Sequence, residues 1–153
     1  MSEEASFDEA AGHRFFSGDA FNRAWEYIER PERTAVETEA MLHAAHASFW
    51  HWAQRPDRAR RNLSVGYWQL ARVYALAGIT GEARRYARLC LETSLGEGPF
   101  YEGYAYEALA RVELAAGDGG QAAEYRARGL ELAALVDDQE ERTALETDLQ
   151  NVI

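Results

Sequence analysis

The chain has no lysine, only one cysteine and three prolines, and no long apolar run. Each shortage excludes something. Without an uninterrupted stretch of about 18 apolar residues, no membrane-spanning helix is expected. The lone Cys90 rules out an intramolecular disulfide. The N-terminal Met1-Ser2-Glu3-Glu4-Ala5 is acidic and lacks an apolar centre, so it does not read as a secretory signal. Together these predict a reducing, cytoplasmic setting. Positive charge is also scarce. Sixteen basic residues face 26 acidic ones, for a net charge of −10. Such a chain repels phosphate backbones and anionic membrane surfaces, so neither nucleic acid nor membrane is expected as a partner. All the basic residues are arginine, which alongside abundant alanine reads as base-composition bias. Arginines cluster at Arg55, Arg58, Arg60 and Arg61 and again at Arg84, Arg85 and Arg88, as solvated helix ends and loops would place them.

What is present is repetition. Tyr67, Leu70, Ala71, Arg72, Val73, Ala77, Gly78, Gly81, Ala83, Tyr86, Leu91 and Glu92 recur as identical residues 39 positions later, from Tyr106 to Glu131. That is 12 identities in 26 aligned positions without a gap. A fixed period of this size marks stacked units that bury their apolar faces against one another. The clear repeats span 64–95 and 103–134, and 1–153 reads as a single helical-repeat domain.

Apolar residues recur at three and four positions almost throughout, which is the helical period. The expected helices are 3–16, 19–30, 34–54, 59–77, 80–95, 100–116, 119–136 and 138–151, eight in all. Pro31, Pro56 and Pro99 lie just outside them, and Gly78, Gly96 and Gly117 follow their ends, as left-handed C-terminal caps do. Thr34-x-x-Glu37, Asp118-x-x-Gln121 and Asp137-x-x-Glu140 carry capping-box spacing. Connections of two to five residues make neighbours antiparallel. Leu63, Tyr67, Leu70, Ala71, Tyr74 and Ala77 form an apolar stripe, with Tyr106, Leu109, Ala110 and Ala116 as its equivalent and Glu113 interrupting it, and Tyr67, Leu70, Ala71, Tyr74, Tyr106, Leu109 and Ala110 should be buried. Ala83 and Ala122 should be buried in the second helices. Cys90 and its repeat partner Gly129 are both small, which suits a close approach of two helices.

These residues resemble tetratricopeptide hairpins. Tyr67, Leu70, Ala71, Tyr74 and Ala83 match that family's pattern, as do Tyr106, Leu109, Ala110 and Ala122. The period is 39 where the family has 34, Glu113 replaces the second aromatic, Ala87 and Arg126 stand where the second helix carries an aromatic, and the closing proline is missing. The whole chain also resembles a group of small bacterial helical proteins through His46-Ala47-Ser48-Phe49-Trp50-His51-Trp52, Trp68-Gln69-Leu70-Ala71-Arg72-Val73-Tyr74 and Ala105-Tyr106-Glu107-Ala108-Leu109-Ala110-Arg111. The tetratricopeptide resemblance implies an all-α solenoid of about four hairpins whose first helices line a concave groove.

Groove-facing positions would then be Trp68 and Arg72 in one repeat and Tyr104, Glu107 and Arg111 in the next. The pairs 68/72 and 107/111 each share a helix face by spacing alone. Two arginines there would favour an acidic side chain or a C-terminal carboxylate on the partner. The competing account is a Glu107–Arg111 helix ion pair, with Trp68 half-buried between repeats. A second candidate region is the helix bearing His43, His46, Trp50 and His51. His46 and Trp50 could border a pocket with Trp68 and Arg72. His43 and His46 could chelate a metal, but no third ligand completes the set. No phosphate loop, GxSxG or HExxH pattern occurs.

The expectation is therefore a non-catalytic scaffold that takes a peptide or protein segment in its groove. A small-molecule binder or enzyme with an aromatic/His/Arg pocket is the second reading, and a metal-binding helical protein the third. No cofactor or metal is expected, and a homodimer is compatible with all three.

Overall fold

The computed structural model describes residues 6–153. Among these residues there are helices and no strands. They are α1 (Glu9–Ile28), α2 (Ala35–Gln54), α3 (Arg60–Leu76), α4 (Thr80–Ser94), α5 (Pro99–Ala115), α6 (Gly119–Ala133) and α7 (Gln139–Gln150). The count is seven where eight were expected, because the first two expected helices are one. The start of the first, residues 3–5, lies outside the described residues. The break expected at Ser17-Gly18 does not occur. A glycine inside a helix costs only about 1 kcal/mol against alanine, and tertiary contacts hold this segment. Ser17 is buried, its hydroxyl donates to the Arg14 carbonyl at 3.0 Å, and its own carbonyl accepts from the Ser48 hydroxyl at 2.7 Å.

The helix ends follow local chemistry. Thr34 and Glu37 form a reciprocal capping box, with the two bonds at 3.2 and 2.9 Å. Asp118 accepts from the Gln121 amide at 3.0 Å. The cap of α7 is Asp138, bonded to the Glu141 amide at 2.9 Å, one residue later than the spacing at Asp137 predicts. At the other ends, Gly78 and Gly117 take φ of 74° and 85°. That conformation lets the next residue's N–H reach back five positions, from Ile79 to the Tyr74 carbonyl and from Asp118 to the Glu113 carbonyl. The repeat is thus visible in the turn geometry as well as in the sequence.

Consecutive helices pair: α1 with α2, α3 with α4, α5 with α6. The pairs then stack, α2 on α3 and α4 on α5, with α3 also against α5. Helix α7 closes the end against α5 and α6. Leu70, Ala71, Ala83, Leu109, Ala110 and Ala122 are buried as expected. Tyr67, Tyr74 and Tyr106 are only half-buried. Their rings pack against other rings, Tyr67 on Phe49 at 4.5 Å, Tyr74 on Tyr86 at 5.5 Å and Tyr106 on Tyr125 at 6.1 Å. A tyrosine has an apolar body and a polar tip, and at the margin of a two-helix layer it buries only the body. Among the described residues, no helix is long and apolar enough to cross a membrane.

Candidate functional site

The first helices of successive hairpins put their aromatic residues on one side of the stack. Trp25 of α1 lies 5.5 Å from Trp68 of α3, between ring centroids, and Trp68 lies 5.8 Å from Tyr104 of α5. Tyr104 in turn meets Phe100 at 5.1 Å. Beside this row is a cavity of about 370 Å³. Trp25, Trp68, Phe100, Tyr101 and Tyr104 supply its aromatic wall. Ser64, Val65 and Cys90 lie at the α3–α4 side, and Asp148 of α7 is its one charged lining residue.

The residues expected in the groove do come together, in a different arrangement from a free surface. Trp68 and Glu107 are repeat equivalents, 39 positions apart, and they bond directly: the indole N–H donates to Glu107 Oε2 at 2.7 Å. Glu107 is 1% exposed. The Arg111 guanidinium donates to its other oxygen, and Arg111 Nη2 also reaches the Asp148 carbonyl at 3.2 Å. Burial raises the Glu107 carboxyl above its ordinary range, opposed by Arg111, Trp68 and Arg72. Tyr104 donates its hydroxyl to Asp148 Oδ2 at 2.7 Å. Burial and that carboxylate push its phenol pKa up, so Tyr104 acts as a donor. Arg111 is therefore committed to the interior, as the competing ion-pair account has it. Arg72 is half-buried and has no hydrogen-bond or ion-pair partner among the described residues. Burial and then Arg111 lower its pKa, while Glu107 and Asp148 act in the other direction.

His46 and Trp50 are not part of this cluster. His46 Nε2 lies 2.8 Å from the Tyr74 hydroxyl, and its ring packs against Tyr74 and Tyr86. Burial lowers its pKa, with a smaller contribution from His43. Trp50 is exposed at the far end of α2, edge-on to His13 and His51. His13 Nδ1 and His51 Nδ1 are 2.9 Å apart. His43 points elsewhere, 3.6 Å from Glu39, so His43 and His46 do not converge. Among the described residues, no three metal-ligating side chains form a group.

Sequence reasoning missed most of the cavity wall. Asp148 reads as one acid on a solvated terminal helix, and nothing local signals its bond to Tyr104, 44 positions away. Trp25, Phe100 and Tyr101 sit outside the repeat alignment, so nothing in its spacing singles them out. Cys90 is buried, as its packing position implies. Burial pushes its thiol pKa up to about 12, so it lines the cavity as an unreactive thiol.

The chain is an all-α, helical-repeat-like protein, and the site is a pocket built where successive hairpins meet. No protein-family model, no curated protein and no solved structure matches the chain.

Proposed function

We propose that the chain is a non-catalytic binding scaffold, a short tetratricopeptide-like solenoid that takes a segment of another protein along the face shared by α1, α3, α5 and α7. The observation carrying this reading is the aromatic cavity of about 370 Å³ on that face. It has the size and the mostly apolar lining of a specific binding pocket, with a few polar groups to fix orientation. Aromatic anchors set in a pocket dominate the energetics of recognition surfaces. Arg72, one turn along α3 from Trp68, is the cation free to meet an acidic side chain or a C-terminal carboxylate flanking the anchored residue. Arg111 is not free for it, because Glu107 holds it. A cytoplasmic setting belongs to the same proposal and suits a chain whose one thiol is reduced and buried.

Peptides selected from a displayed random library and re-titrated by calorimetry test the reading. Binding should weaken about tenfold or more in Val65→Arg, which fills the cavity mouth, and by a smaller factor in Arg72→Ala. Both positions are at least partly exposed, so circular dichroism should report folded variants. Selected peptides that bind both variants as tightly as wild type would place recognition elsewhere.

A second reading, a small-molecule binder using the same cavity, is favoured by its ring-rich wall and modest volume. The metal reading gains nothing from the geometry, since His43 and His46 take different partners, Glu39 and Tyr74.

A further inference from the structure

The cavity is unusual in what its wall combines. Its rings do not lie in one plane. Trp68 and Tyr104 meet at 80°, Tyr104 and Phe100 at 78°, and Phe100 and Tyr101 at 85°. Trp25 adds a face tilted 40° from Trp68. At the near-right angles the edge of one ring packs on the face of the next, and all five rings line the one cavity. The one charged lining residue is a carboxylate, Asp148, and no arginine lines the cavity. Asp148 Oδ2 is engaged by Tyr104, which fixes the side chain and leaves Oδ1 without a hydrogen bond among the described residues. The chain as a whole carries −10.

Three ligand chemistries can be weighed against this wall. An anion inside the cavity would meet Asp148, while the nearest cations, Arg72 and Arg111, lie outside its lining. A neutral apolar group would fit the rings but gain nothing from the carboxylate, which it would desolvate at a cost. An organic cation gains from both. The negative faces of the rings attract a diffuse positive charge, and the carboxylate completes the enclosure. A bulky, weakly hydrated ammonium suits this better than a bare primary amine, because methyl groups fill apolar space and carry less water to be stripped.

We propose that the cavity is a cage for a methylated ammonium group, with Trp25, Trp68, Tyr101 and Tyr104 as its aromatic walls and Asp148 as its counter-charge. This rests on the reading of the cavity as the binding site, and it names the group that enters it. The source can be a methylated lysine side chain on a protein segment or a free small quaternary ammonium; the chemistry is shared.

Choline and its uncharged carbon isostere 3,3-dimethylbutan-1-ol separate the charge from the shape. Both are titrated against the full chain by tryptophan fluorescence, since Trp25 and Trp68 report directly from the wall. Choline should bind about tenfold more tightly than the isostere. Asp148→Asn, which keeps the bond from Tyr104, should remove most of that preference. Tyr101→Leu, which keeps apolar bulk but removes a π-face, should weaken choline more than the isostere. Having two such variants guards against one that fails to fold. A trimethyllysine peptide that binds more tightly than choline assigns the ammonium to a protein side chain. Equal binding assigns it to a free molecule. Both results uphold the cage. If the isostere binds as well as choline, or if both variants leave the preference intact, the cage is wrong and the cavity is an ordinary apolar pocket, with the scaffold reading still standing. If neither probe binds, the cage is also wrong, and the Val65→Arg titrations decide the scaffold reading on their own.

Discussion

The two repeats place equivalent residues in different jobs. Ser64 and Cys90 of the first correspond to Gly103 and Gly129 of the second. In the first, the Ser64 hydroxyl bonds the Cys90 carbonyl at 3.3 Å, and both residues line the open cavity. In the second, a Cβ on Gly103 would lie 2.5 Å from Leu145 Cδ2, and one on Gly129 would lie 2.6 Å from Leu149 Cδ2. Leucines of α7 occupy that space. Trp68 and Glu107 are equivalents that bond each other, and Arg72 and Arg111 are identical equivalents of which only one is paired. Tyr74 and Glu113 are equivalents as well. Tyr74 bonds His46, while Glu113 takes a two-pronged pair from Arg84 at 2.7 and 2.8 Å. A repeat therefore fixes where side chains stand. The neighbouring hairpin fixes what they do, and the neighbours differ along a short stack.

The shared part of the comparison should show the largest effects. Leu70→Ala and Leu109→Ala remove equivalent, nearly fully buried side chains. Each should cost about 2–5 kcal/mol by denaturant titration. A loss in only one repeat would mean that the two cores are not equivalent.

The divergent part comes next. Gly129→Val should destabilise by about 1–3 kcal/mol, because the added groups run into Leu149. Cys90→Val, at the equivalent position beside the cavity, should cost less than about 1.5 kcal/mol as a near volume-conserving change. Equal costs would show that α7 yields freely and that the close packing is not the point of the glycine.

Smaller still is the Arg84–Glu113 pair, partly solvated on the arginine side. Glu113→Gln should cost about 0.2–1 kcal/mol at neutral pH. Arg84 lowers the Glu113 pKa in the fold. The folded chain then releases that proton more readily than the unfolded one. The stabilisation is complete above the ordinary value of 4.5 and is lost as pH falls through the lowered folded value. Glu113→Gln should remove that acid limb.

His46, the partner of Tyr74 at the position equivalent to Glu113, should respond at a higher pH. Burial lowers the His46 pKa from its ordinary 6.5. Below 6.5 the unfolded chain takes up a proton that the folded chain resists, so stability falls as pH drops from 6.5 through the lowered folded value. His46→Gln should flatten this limb in thermal melts across that range and leave the lower, Glu113-dependent limb in place. An unchanged profile would mean that His46 titrates alike in the folded and the unfolded chain.

Much of the fold was legible. The all-helical class, the helix pairing within the two repeats, the glycine caps and the buried Leu70 and Leu109 follow from periodicity and turn chemistry, which act over a few residues. The continuous α1 was not legible. Ser17 and Gly18 look like a break locally, and only the bond from Ser48, 31 positions on, shows why the helix runs through. The site was legible in part. Spacing put Trp68 with Arg72 and Glu107 with Arg111. It could not say that Glu107 turns inward to take both the indole and the guanidinium.

By itself the sequence determined a repeating helical frame, because helix formation, capping and apolar stripes are written in residues three or four apart, and the 39-residue repeat copies them. Tertiary structure alone decided that Asp148 meets Tyr104, that Arg111 is occupied while Arg72 is not, and that a cavity stays open beside Cys90 but not beside Gly129. Each of these depends on how far the next hairpin or the terminal helix is displaced across the stack, and that displacement is set by side chains far apart in the chain packing at the same moment.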